Sequence, residues 1–63
     1  MNLNLKARRI EKRMTQEELA QKSKISRQTI ISIENDEQYN VTTNTLVSLA
    51  DALGITVDQL FLP

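Results

Sequence analysis

The sequence predicts an all-α fold of five short helices, forming one domain over residues 1–63. Three observations carry that expectation. Hydroxyl residues sit at four places where a helix can start, each bracketed by a pair of apolar residues. Apolar positions between those places recur at helical spacing, and no useful stretch alternates with the period of two that a half-buried strand needs.

The first helix is read from Leu3, Ala7, Ile10 and Met14, spaced i, i+4, i+7 and i+11 on one stripe. Lys6, Arg8, Arg9, Lys12 and Arg13 fall on its other faces. Thr15, Ser26, Thr42 and Thr56 are N-cap candidates, because a hydroxyl can accept from an otherwise orphaned amide of the first turn. Each cap lies inside a hydrophobic staple: Met14 with Leu19, Ile25 with Ile30, Val41 with Leu46, Ile55 with Leu60. Thr15 with Glu18 and Thr56 with Gln59 also complete capping boxes. Four helix starts follow at about 15, 26, 42 and 56. The helix from Thr42 buries Leu46, Leu49, Ala50 and Leu53, and Gly54 is its left-handed stop. A loop of about six residues, Asp36 to Val41, is the one irregular stretch.

Composition narrows the function. Forty per cent of 63 residues are hydrophobic, enough for one small core and too little to enclose a catalytic cavity as well. The chain has neither Cys nor His, and its carboxylates are not paired at a spacing suited to metal or acid/base work. An enzyme is not expected, nor is a cofactor or metal. No apolar run reaches the ~18 residues of a membrane span, so a cytoplasmic protein with no membrane partner is expected. The net charge of zero conceals a polarity: residues 1–27 carry +5 and residues 28–63 carry −5. That suggests either a polyanion-facing N-terminal half or a plain molecular dipole.

The helices from Thr15 and Ser26 are separated by only about three residues, Ser23 to Ile25. So short a connection forces a steep crossing, with Ala20 small enough for close approach and Leu19, Ile25, Ile30 and Ile33 as the shared seam. This is helix-turn-helix spacing over Gln16 to Asn35. The run Thr15-Gln16-Glu17-Glu18-Leu19-Ala20, then Ser26-Arg27-Gln28-Thr29-Ile30, then Ile33-Glu34-Asn35, closely resembles the phage repressor/Cro-like helix-turn-helix family. Leu46, Leu49-Ala50, Leu53-Gly54-Ile55 and Asp58-Gln59-Leu60-Phe61 extend the resemblance over essentially the whole chain.

The resemblance implies a five-helix, repressor-like DNA-binding domain whose third helix lies in the major groove. It nominates Arg27, Gln28 and Ser32 as base-contacting residues, with Ser26 and Ile31 at the margins. Their chemistry suits guanine, adenine and the thymine methyl. Gln16 matches a phosphate-binding glutamine, flanked by Thr15 and Asn35. Arg9 and Glu34 match a structural ion pair between the first and third helices. Val57, Phe61 and Leu62 are candidates for a dimer interface at the C-terminal end, although Phe61 is equally a candidate for the core.

The chain departs from the family at three places where glycine often closes a helix or turn, which here hold Arg13, Lys24 and Asp36. Each either bears the cost of about 1 kcal/mol or more for a non-glycine residue at positive φ, or turns differently. Ser23 replaces a usually apolar turn residue, and Asp36 and Glu37 make an acidic loop where the family is basic or neutral. Tyr39 reads as a lid over the core, or else as a base or phosphate contact.

The functional expectation is a minimal transcriptional regulator, binding a partly palindromic operator as a homodimer and repressing by occlusion. Nothing follows Pro63, so no sensing domain is expected. The alternative is a protein-interaction module, such as an antitoxin or anti-repressor with a protein partner. The acidic half and acidic loop keep it open.

Overall fold

A computed structural model describes residues 3–61. Five helices follow in chain order: α1 (Leu5–Glu11), α2 (Gln16–Ser23), α3 (Arg27–Asn35), α4 (Thr43–Leu53) and α5 (Val57–Phe61). Among the described residues there is no strand, and no helix is long and apolar enough to cross a membrane.

The caps explain where the helices begin. Glu18, Thr29, Thr45 and Gln59 each donate a backbone N–H to the hydroxyl three residues before, at 3.0, 3.1, 3.2 and 3.4 Å. At α2 the Glu18 carboxylate returns the bond, accepting from the Thr15 N–H at 2.8 Å. At α5 the Gln59 side chain accepts from the Thr56 N–H at 2.9 Å. Both capping boxes are therefore closed, and they satisfy donors that no intrahelical carbonyl can reach.

The core takes one fully buried side chain from each helix: Leu5, Leu19, Ile30, Leu49 and Leu60. Each is worth roughly 1.5–3 kcal/mol of burial, so every helix is anchored by its own apolar residue. Met14, Ile25, Val41 and Ile55, the outer members of the four staples, pack against this cluster, as do Tyr39 and Val57. Helix α2 packs on both α3 and α4, α1 rests on α3, and α5 closes on α4. This arrangement leaves the far side of α3 uncovered.

The first helix differs from its expected reading. Helix α1 begins at Leu5, and its buried residues are Leu5 and Arg9, one helical turn apart. Ala7 and Ile10 face outward, Ile10 with 56% of its surface exposed. The stripe through Ala7 and Ile10 fails because the residue that docks α1 onto α3 is a cation, invisible to an apolar count.

The glycine-replacing positions divide. Arg13 and Lys24 do adopt left-handed backbone, with φ of 57° and 62°, and Gly54 ends α4 at φ 69°. Asp36 does not: its φ is −124°. Its N–H closes α3 on the Ser32 carbonyl at 2.9 Å, and its Oδ1 accepts from the Gln38 N–H at 2.9 Å. The aspartate side chain makes the turn that a left-handed glycine would otherwise make. Ser23 is buried at the end of α2, with its Oγ accepting from the Ile25 N–H at 3.2 Å. A hydroxyl is useful there because the tight turn leaves that amide without a helical carbonyl.

Candidate nucleic-acid interface

Helix α3 has two faces with opposite chemistry. Ile30 and Ile33 are buried in the core. Arg27, Gln28, Ile31, Ser32 and Asn35 share the other face by the helical period. Of these, Arg27, Gln28 and Asn35 are exposed, and Ile31 and Ser32 are half-buried. A helix held by two isoleucines and presenting a guanidinium, an amide and a hydroxyl on one side is shaped to read a polar surface. Ser26 starts this helix and is committed to the cap, accepting from the Thr29 N–H at 3.1 Å and donating to the Thr29 hydroxyl at 2.8 Å.

The α2 N-terminus is built by Thr15 and Gln16. Thr15 is held reciprocally by Glu18, whose exposed carboxyl is kept below the usual carboxylate range, first by the Thr15 backbone N–H and then by the Thr15 side chain. The two amides before Glu18, those of Gln16 and Glu17, precede any intrahelical acceptor and form the positive end of the helix.

Behind these two surfaces lies a buried polar cluster. Arg9 Nε donates to Glu34 Oε2 at 2.7 Å, and Arg9 Nη2 donates to Glu34 Oε1 at 3.1 Å. This is a two-pronged ion pair between α1 and α3, with the Glu34 side chain only 1% exposed. The third prong, Arg9 Nη1, donates to the Met14 carbonyl at 2.8 Å in the turn after α1. Hydrogen bonding to Glu34 holds the Arg9 guanidinium above its ordinary pKa, so it is a fixed cation. Gln16 joins the same cluster through Nε2, which donates to Glu34 Oε1 at 3.1 Å.

That last bond was not legible in the sequence, where Gln16 and Glu34 stand eighteen positions apart with separate roles. Arg8 also has an unforeseen contact, donating from Nε to the Gln59 carbonyl at 2.9 Å while pairing with Glu11. At the C-terminal end, Val57 is half-buried against the core and Phe61 is 44% exposed, so Phe61 is not a core residue. Leu62 lies outside the described residues.

Comparison with known proteins agrees with this arrangement. The Helix-turn-helix family pattern matches residues 5–60, from the first turn of α1 to α5. The immunity repressor protein of Bacillus phage phi105 is 43% identical over 56 residues, which cover 89% of this chain. The matched stretch is 38% of that relative, so the chain spans well under half of its length. A pattern match along nearly the whole chain and an identity of this size show that the chain belongs to the phage repressor/Cro-like helix-turn-helix family.

Proposed function

We propose that the chain is a sequence-specific double-stranded-DNA-binding transcriptional regulator of the repressor type. It places α3 in the major groove and acts as a homodimer on a partly palindromic operator. The observation that carries this reading is the outer face of α3. Arg27 and Gln28 are exposed there and, among the described residues, their side chains make no hydrogen bond or ion pair within the protein. Their donors and acceptors are thus available to base edges, with Ser32 one turn further on and Ser26 and Ile31 at the margin. Thr15, Gln16 and Asn35 flank this face and are assigned to phosphates. The basic balance of residues 1–27 is consistent with a polyanion partner for the half of the chain that holds α2 and the start of α3. The name of the phage relative, an immunity repressor, favours repression over activation. Phe61, exposed beside half-buried Val57, is the apolar residue on which a second copy would close, with Leu62 following it.

The test is selection of binding sites from random duplex DNA, followed by fluorescence anisotropy on the selected site across a salt series. Two half-sites about one helical turn apart, ~34 Å, and a steep salt dependence are expected. Sedimentation of the complex should find two chains per site. A chain that binds no duplex at low salt would refute the DNA reading and favour a protein partner instead.

A further inference from the structure

One hydrogen bond ties the first turn of α2 to the end of α3, and it is made by a residue assigned to phosphate. Gln16 Nε2 donates to Glu34 Oε1 at 3.1 Å, and Arg9 grips the same carboxylate at 2.7 and 3.1 Å. The Glu34 side chain is almost completely buried, so it is a fixed anchor. A glutamine on an open helix turn samples several rotamers and must give them up when it binds a ligand. Gln16 is half-buried and tethered, and has already given them up on folding.

The tether also decides which way the amide faces. A carboxylate accepts and cannot donate, so the nitrogen turns toward Glu34 and the oxygen away. An amide nitrogen carries two N–H groups; one is engaged by Glu34, and no other side-chain bond of Gln16 is found among the described residues. We infer that Glu34 is a positioning residue for DNA binding: through the buried Arg9–Glu34 pair it holds the Gln16 amide with its second N–H presented to a phosphate oxygen. This rests on the DNA-binding reading above and adds to the ion pair a role beyond joining α1 to α3. Because phosphates are the same at every base pair, the effect falls on affinity for any duplex and leaves base preference unchanged.

The experiment is a cycle built on the paired substitution Arg9→Met/Glu34→Leu, which removes both buried charges together and avoids stranding one. Affinity for a mixed-sequence duplex of about two helical turns is measured by anisotropy for wild type, Gln16→Ala, the paired variant and the triple variant. Circular dichroism fixes a temperature at which each is folded. Gln16→Ala is expected to weaken wild type by about tenfold, the size of one hydrogen bond to a charged group. It should change the paired variant by less than about threefold, since its amide is already untethered. Equal losses in both backgrounds would overturn the inference.

Should the paired variant fail to fold, wild type alone provides the test by ¹⁵N NMR of the side-chain amides. One Gln16 amide proton should stand apart from those of Gln21, Gln28 and Gln38 and exchange slowly, and titration with the duplex should move its partner proton. Two averaged, fast-exchanging Gln16 protons would overturn the tether. A wild type that binds no duplex, with the slow proton still present, would instead overturn the DNA reading and with it the role given to Gln16.

Discussion

Replacing Arg9 by methionine is expected to cost the fold about 3–5 kcal/mol, the penalty for stranding the charge of a buried partner. The size follows from the geometry around Glu34. Its carboxylate is 1% exposed and receives three N–H groups, two from Arg9 and one from Gln16. Without Arg9 it keeps one neutral donor, which cannot replace the water it gave up on burial. The Met14 carbonyl loses its side-chain donor in the same substitution. A chain of 63 residues has a net stability of about 3–9 kcal/mol at roughly 0.05–0.15 kcal/mol per residue, so the single substitution removes between about a third and all of it. Urea titration followed by far-ultraviolet circular dichroism measures the loss, with added osmolyte shifting the midpoint where the native baseline is short. Glu34→Leu alone should lose a similar amount. The pair of substitutions together should lose less than either one alone, because no uncompensated charge remains. Additive losses would refute the reasoning, since they would mean that the two side chains stabilise the fold independently despite their 2.7 Å separation.

Four further outcomes are expected. Arg27→Ala and Gln28→Ala should each lose about 1–3 kcal/mol on a selected site and relax preference at one base pair, and a Gln28→Ala protein with unchanged preference would exclude that residue as a reader. Replacing Asp36 and Glu37 by Lys should raise affinity for selected and random DNA together and steepen the salt slope, whereas unchanged affinity at low salt would place the loop away from the phosphates. The capping carboxyl of Glu18 has its folded pKa below its unfolded one, so its contribution is fully present above the unfolded value and lost as pH falls through the folded value. Glu18→Gln should therefore flatten the acid limb of the stability–pH curve measured by urea titration, and an unaltered limb would refute the box as its origin. Lys24→Gly should stabilise by about 1 kcal/mol because φ is 62° there, while Asp36→Gly, at φ −124°, should destabilise; thermal melts distinguish the signs.

The four later helices were legible because their signals are local and agree. At Thr15 the cap, the box with Glu18 and the staple from Met14 to Leu19 all mark the same start, and a reader needs no tertiary contact to see it. Helix α1 lacks such a start signal: its N-cap Asn4 makes no side-chain cap bond, and the helix is only two turns long. Its orientation is set from outside, by Leu5 entering the core and Arg9 reaching Glu34, so the pattern through Ala7 and Ile10 pointed the wrong way. The α3 face could be placed in the sequence because Ile30 and Ile33 fix the opposite side. The Gln16–Glu34 bond could not, since it depends on how α2 crosses α3, an angle that spacing bounds and does not specify. Asp36 shows the same limit on a smaller scale, where a side-chain bond to Gln38 replaced the backbone geometry expected of that position.

The contacts between α1 and α5 bear on the order of folding. The Asn4 N–H donates to the Leu60 carbonyl at 2.7 Å, and Arg8 donates to the Gln59 carbonyl next to it. Bringing those positions together from an open chain closes a loop of 55 intervening residues at the start of folding, before any other contact shortens the path. Once α2, α3 and α4 have packed, the same closure is nearly free. The two ends are therefore expected to meet late, after the rate-limiting barrier, and to be among the first to part when the molecule opens. Weakening that meeting point should then shorten the lifetime of the native state while leaving the speed of its formation almost untouched.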